Sequence, residues 1–482
     1  MSGYNPNLAY FLSRLQGVST NYFRLEPQSS GSSTITANKI IRFNLPSNCL
    51  LNTRGISFNF NADANALASA GGRLPADIAS LIDRVELSSG GVQIAQGANG
   101  YNLITAMKKY LTVNKCDPAL GHPEIVRSVS YVDGAGDFAT GASSNILTTK
   151  NENYRSGGNQ VQFAIDNWEG FLGSVQPAII DTSLLSDLTL SLYLAGNEVC
   201  SSSAGVALDG TGSSDITDSN SLQSQYQLRD FHLIVETLGM ADSVYDMMIE
   251  RRISEVGYIE LPFKTYFTTQ DTHSGTTRFT TATQSLDRVY FGFRSATFDG
   301  IAAPVRVAGY KKTGAFLAST SAGSPTLDVG LPQYDVGGVM DTNAERYVGN
   351  FFNFTESLSA AAVPATYQLN FNGSFIPQFK ASAEQMLSIT RNSVPTYEMN
   401  GKYPVSTMTL DQFKQNFFVH CVRLNLPQAE ENREICGADT RGISLNAYLS
   451  TTGFTTGKNV FIACECTSSL RIGAGRAIEV IA

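Results

Sequence analysis

The chain has 482 residues, 42% of them hydrophobic and 16% charged, which is long for one β-sandwich and suits two cores of roughly 200 residues each. Its 34 Lys and Arg against 42 Asp and Glu leave a formal charge of −8, and residues 1–35 hold only Arg14 and Arg24, which argues against binding a phosphate backbone. No apolar run reaches the length of a bilayer span and no basic leader precedes an apolar block, so a soluble product that stays where it is made is expected.

In chain order, Leu8, Phe11, Leu12 and Leu15 fall at i, i+3, i+4 and i+7, one short helical stripe. It reads either as a helix packed on its own domain or as an arm docking on a neighbour or a membrane. Period-2 alternation then dominates. Ile56, Phe58 and Phe60 alternate with Ser57, Asn59 and Asn61. Leu188, Leu190, Leu192 and Leu194 form a second row, Ile443, Leu445, Ala447 and Leu449 a third, and Val460, Ile462, Cys464 and Cys466 a fourth. One apolar face and one polar face is what a sandwich strand requires. The chain reads as all-β, with a few short helices in the connections.

Three helices are expected. Residues 100–111 carry Leu103, Ile104, Met107, Tyr110 and Leu111 on one stripe, with Lys108 and Lys109 near the C-terminal end of the dipole. Residues 242–253 present Val244, Met247, Met248 and Ile249. Thr342 and Glu345 stand at capping-box spacing before Val348, Phe351 and Phe352, with Gly349 weakening the pattern. The Ser/Gly/Asp-rich stretch 197–224 reads as a polar connector. These signals divide the chain into an arm over 1–30, a first unit over 31–239 and a second over 240–482. The halves echo one another weakly: Ser80 to Leu87 resembles Ser285 to Phe291, and Arg42 to Pro46 resembles Arg423 to Pro427.

Chemistry-bearing motifs are scarce. The seven cysteines (Cys49, Cys116, Cys200, Cys421, Cys436, Cys464 and Cys466) contain no CxxC pair, so free, mostly packed thiols are expected, Cys464 and Cys466 in a core. His122, His232, His273 and His420 belong to no metal or acid–base spacing. Gly473, Ala474 and Gly475 between Arg471 and Arg476 mimic a phosphate cradle, yet no helix pattern follows, so a bend or bulge is expected. The pairs Arg251–Arg252, Lys311–Lys312 and Lys108–Lys109 read as surface or interface charges, and Glu430, Glu431, Arg433 and Glu434 as a solvated corner. No catalytic residue, cofactor or metal ligand is assigned. Trp168, the one tryptophan, lies between Asn167 and Glu169; it reads as core or as half-buried at an interface.

The strand–turn–strand–helix run over 80–111, the two β-rich halves joined by a helix, and the C-terminal strands containing ISLNAYLSTTG and NVFIACECTSSLRIGAGRAIEVI resemble the double jelly-roll major capsid proteins of the adenovirus–tectivirus lineage. The similarity is greatest to the virophage, polinton-like virus and adintovirus branch. That resemblance implies two upright jelly rolls per chain and a homotrimer of six rolls that forms a pseudo-hexagonal capsomer. It also implies an icosahedral capsid of a DNA virus, assembled inside the host cell. The partners it implies are further copies, penton and minor capsid proteins, and in some relatives an internal membrane, with no sequence-specific nucleic-acid binding. Candidate assembly contacts are Leu8, Phe11, Leu12, Leu15 and Trp168. The competing readings are a carbohydrate-binding or glycoside-active β-sandwich and another virion part such as a spike.

Overall fold

The structure is a computed structural model describing residues 18–28, 34–66, 72–73, 78–95, 97, 99–112, 161–199, 201–202, 224–240, 243–295, 305–310, 340–348, 354, 365–371, 373–394, 418–426, 436–441, 447–453 and 458–481. Sixteen strands build two sandwiches. The first uses β1 (Val18–Leu25), β2 (Ile40–Asn44), β3 (Leu50–Ala66), β4 (Ile82–Ser89), β5 (Val92–Ala95), β6 (Val161–Ile165), β7 (Leu188–Leu194) and β8 (Ser224–Met240). The second uses β9 (Tyr258–His273), β10 (Thr276–Phe279), β11 (Leu286–Ser295), β12 (Thr366–Phe371), β13 (Ser374–Ser382), β14 (Val419–Arg423), β15 (Ala447–Thr452) and β16 (Lys458–Gly473).

The strand orders are β1-β8-β3-β6 facing β2-β7-β4-β5, then β9-β16-β11-β14 facing β10-β15-β12-β13, all antiparallel. Adding eight to any strand number of the first half gives its counterpart in the second. The halves are therefore topological repeats. No strand of one half pairs with a strand of the other among the described residues.

Alternation builds the cores. On β3, Ile56, Phe58 and Phe60 point inward and are buried, and on β7 the four leucines are buried in the same way. Phe43, Phe58, Phe60 and Phe163 stack through centroid distances of 4.8 to 6.0 Å. In the second sandwich Phe291, Phe293, Tyr367, Phe418 and His420 play the same part. Gly55 lets β3 bend beneath β8, because a Cβ there would lie 2.7 Å from the Cβ of Glu236.

Two of the expected helices form: α1 (Tyr101–Thr112) and α3 (Ser243–Val256), the latter between β8 and β9. A four-residue turn, α2 (Phe171–Ser174), follows β6, and α4 (Ala383–Ser393) follows β13 behind a full capping box of Ser382 and Gln385. Other expectations are corrected. Thr342 and Glu345 cap no helix, since Met340–Val348 is a strand paired with Val305–Tyr310; a four-residue capping signature is too local to outweigh ladder bonds. Within the stretch 1–30 read as an arm, Val18–Leu25 is a strand paired with β8. Ser201 and Ser202 of the polar connector pair with Arg73 and Gly72. The bend expected at Gly473–Gly475 is present: with Gly475 at φ 69° the chain turns back and Ile478–Ile481 pairs with β16.

The sequence echoes are also not structural equivalents. Ser80 to Leu87 lies on the turn before β4 and on β4 itself, whose counterpart is β12, while Ser285 to Phe291 lies on β11, the counterpart of β3. His122, Lys311, Lys312, Phe351, Phe352 and the 430–434 corner lie outside the described residues, as do the side chains of Lys109, Tyr110 and Leu111.

Candidate functional site at the junction of the two sandwiches

The outer face of β9-β16-β11-β14 meets the first sandwich. On β16 one row, Val460, Ile462, Cys464 and Cys466, enters its own core as the alternation implied. The other row, Phe461, Ala463 and Glu465, is buried as well, so this strand has no solvent face. What covers it is α1 and the connection 168–176. Tyr101 through Lys108 are all buried, which makes this stretch a helix enclosed on every side instead of an amphipathic one. Gly100, at φ 78°, brings the helix start against the Phe461 ring, where a Cβ would stand 2.9 Å from Cε2. Gly292 leaves room in the same way for Met107 and Phe354.

Backbone bonds stitch the connection to the free edge of β9. Gln176 N donates to Pro262 O at 3.0 Å, and Lys264 N donates to Ser174 Oγ at 2.7 Å. The rings of Phe171 and Phe263 meet edge to face at 5.0 Å. Trp168 sits at the root of this connection, 3% exposed, its Nε1 donating to Ile56 O at 2.8 Å. That corrects its reading as an assembly contact. An indole already enclosed by its own chain has no surface to offer a neighbour.

Buried charges cross and underlie the junction. Lys108 Nζ donates to Glu169 Oε2 at 2.6 Å and to Tyr266 Oη at 3.1 Å, and Tyr266 Oη donates to the same carboxylate at 3.0 Å. Lys108, read from sequence as a surface or interface charge, thus lies at an interface within the chain. Beneath it, Lys264 Nζ donates to Asp287 Oδ2 at 2.5 Å and to Thr467 Oγ1 at 2.9 Å. Ser285 Oγ donates to the other oxygen of Asp287 at 2.8 Å. Arg288 Nη1 donates to Glu465 Oε1 at 3.1 Å, Tyr290 Oη to Glu465 Oε2 at 3.1 Å, and Arg288 Nε to Ser393 O at 2.8 Å. Burial, followed by the Glu465 charge, pushes the Tyr290 phenol well above its usual range, so it stays a proton donor.

Each cation in these clusters faces a carboxylate, which is the condition for tolerating charge in a core. The carboxylates are occupied by lysine, arginine, tyrosine and hydroxyl donors; Glu169, with Lys264 and Tyr266, also lines a small cavity between the two sandwiches. The arrangement ties the first sandwich to the outer face of the second. No cluster of three or more His, Cys, Asp or Glu shaped for a metal ion occurs among the described residues. Sequence reading missed Glu169, Lys264, Tyr266, Asp287, Arg288, Tyr290 and Glu465. A signal existed: single charges inside apolar strands, as in Phe461-Ile-Ala-Cys-Glu465-Cys, cannot be solvated.

The three described histidines are packed into the two sandwiches. His273 Nδ1 and Nε2 lie 2.7 and 2.6 Å from the hydroxyls of Thr277 and Thr451, and burial lowers its pKa to about 4. His420 packs among Phe291, Tyr367 and Phe418, and burial lowers its pKa to about 3. His232 is buried near the Asp230 carbonyl. Leu8, Phe11, Leu12 and Leu15 lie outside the described residues.

No protein-family model matches the sequence, and no characterised protein matches it significantly. Solved structures do match in shape. PBCV-1 VP54, as fitted into a reconstruction of the virophage Sputnik, superposes with a TM-score of 0.55 at 13% identity over 97% of both chains. The fold is a double jelly roll. The Faustovirus major capsid protein matches with a TM-score of 0.54 at 11% identity, over 95% of this chain and 91% of its own. The PBCV-1 virus capsid model matches with a TM-score of 0.51 at 14% identity over 97% of both. The eight-strand repeat is thus a pair of jelly rolls, and the two-unit all-β architecture read from the sequence is the one observed.

Proposed function

We propose that the chain is the major capsid protein of a DNA virus, a structural protein whose double jelly rolls associate as homotrimers and tile an icosahedral shell. One observation carries the reading. Two topologically identical jelly rolls are locked together by a buried junction, in a fold shared over nearly the whole chain with the Faustovirus major capsid protein. A rigid pair of equivalent wedges lets three chains fill a site with six neighbours. Contacts inside the trimer are expected to be large and apolar, those between trimers smaller and more polar.

The same proposal divides the chain at 239/240, with α3 as the link, and assigns the stripe Leu8, Phe11, Leu12 and Leu15 to docking on a neighbour or on an internal membrane. Penton and minor capsid proteins are the further partners it implies, and the virion is its location. The glycan-binding alternative cannot use the lone tryptophan for stacking, because it is enclosed.

Light scattering and negative-stain imaging of the purified chain test the reading. Stable trimers of hexagonal outline are expected. A persistent monomer at micromolar concentration, or an elongated trimer that never tiles, contradicts it.

A further inference from the structure

A lysine and an aspartate meet across the second sandwich, both enclosed. Lys264 stands on β9 and Asp287 on β11, two strands that flank β16 on opposite sides. Their side chains are 4% and 0% exposed, and Lys264 Nζ lies 2.5 Å from Asp287 Oδ2. A bulge brings this about. The register of β11 on β16 shifts between Leu286 and Arg288, so Asp287 is the extra residue. Two successive side chains then reach β16 on the same face, Asp287 at Thr467 and Arg288 at Glu465. Thr467 is also the register mate of Lys264, so lysine, hydroxyl and carboxylate line up across three strands.

This arrangement meets the needs of an amide-forming reaction between the two side chains. A nitrogen at hydrogen-bond distance from a carboxyl oxygen lies about 3–3.5 Å from the carboxyl carbon, the approach from which a bond forms. Attack requires a neutral amine and a neutral acid. Burial favours that form, because one proton passing along the hydrogen bond removes two charges from a core. Hydroxyls address both oxygens of Asp287. Ser285 Oγ donates to Oδ1 at 2.8 Å, where it steadies an oxyanion. Thr467 Oγ1 accepts from Lys264 Nζ at 2.9 Å and donates to Oδ2 at 2.5 Å. One hydroxyl thus links the nitrogen that must lose a proton to the oxygen that must gain one. The Glu465 carboxylate, 3.9 Å from Nζ, favours the positive charge that develops on the attacking nitrogen.

We propose that Lys264 and Asp287 join in an intramolecular isopeptide bond. One proton passes from Nζ to Oδ2. The amine lone pair attacks Cγ while the π pair of the Cγ–Oδ1 bond moves onto Oδ1. Thr467 takes a proton from the nitrogen and gives its own to Oδ2. The pair on Oδ1 then reforms the carbonyl, the Cγ–Oδ2 bond breaks, and Oδ2 leaves as water. Ammonium and carboxylate become amide and water, Thr467 is regenerated, and nothing is oxidised or reduced. The new bond ties β9 to β11 across β16. It anchors the strand whose Pro262 O and Lys264 N receive the connection from the first sandwich. The five described cysteines are free thiols, so among the described residues no disulfide supplies such a staple. This inference goes beyond the capsid reading and does not rest on it.

Intact mass spectrometry of the purified, denatured full chain tests it. The parent is expected to be lighter than its sequence mass by one water molecule, and its tryptic digest to contain a branched peptide joining Lys264 to Asp287. Lys264→Met and Asp287→Ala are expected to show their full sequence masses. Thr467→Val keeps both partners and is expected to slow bond formation about a hundredfold, followed as the mass of freshly made protein against time. A parent at its full sequence mass overturns the proposal, whether or not any variant folds. So does a loss of water that persists in D287A, since it then arises elsewhere in the chain. Equal rates in T467V and the parent overturn the relay through the hydroxyl. None of these masses depends on whether the chain assembles, so the capsid reading stands or falls separately by its own trimer test.

Discussion

Replacing Glu169 with alanine probes the bond between the two jelly rolls most sharply. Lys108 has a side chain only 5% exposed and Glu169 one 19% exposed, so the substitution leaves the ammonium group in the junction without the carboxylate it donates to, beside the Tyr266 hydroxyl. Breaking one partner of a buried pair costs about 3–5 kcal/mol; partial access of water at Glu169 brings the expectation to about 2–4 kcal/mol. Adding Lys108→Met removes the stranded charge. The double variant is then expected to recover about 1–2 kcal/mol, because an apolar replacement of a buried pair is nearly neutral. Urea titration followed by the fluorescence of Trp168, the one tryptophan and the immediate neighbour of Glu169, reads both. A loss under about 0.5 kcal/mol for E169A, or strict additivity in the double variant, refutes the claim that this pair holds the junction.

Stability should fall as pH drops from about 6.5 towards 4. Buried His273 has its pKa lowered to about 4, so the unfolded chain binds more protons in this window, and the contribution present above pH 6.5 is lost below it. His273 alone accounts for about 3 kcal/mol, which urea midpoints at pH 7 and pH 4.5 will show; identical midpoints dismiss it. Phe58→Ala opens a cavity in the first core and should cost about 3–5 kcal/mol by the same titration. Gly100→Ala combines a left-handed backbone with the approach to Phe461 and should destabilise by more than about 1 kcal/mol, whereas Gly91→Ala, also left-handed but with open space around it, should cost less. Cys464 and Cys466, their thiols pushed up by burial, should resist iodoacetamide until the protein unfolds; rapid labelling of the native chain would show the β16 core to be open.

Alternation on β3 and β7 was enough to read the strands and their inward faces, since burial on one side imposes a period of two. The helices α1 and α3 were readable for the same kind of reason. The second face of β16 was not, because its covering comes from α1, more than 350 residues earlier in the chain. Likewise the apolar stripe of α1 gave no hint that Asn102, Thr105 and Lys108 would also be enclosed. The Thr342–Glu345 pattern and the Ser80 and Ser285 echo show the converse failure, in which a local match carries no information about the long-range pairing that decides the element. The structural repeat itself leaves almost no trace in the residues, because a jelly roll needs apolar alternation at each position and no particular side chain.

The proposed function requires that three chains place their six jelly rolls around one axis. Cryo-electron microscopy of the purified protein tests it most directly. A closed ring of six jelly rolls from three chains is predicted. Persistent single copies, or elongated trimers that never tile, would contradict it.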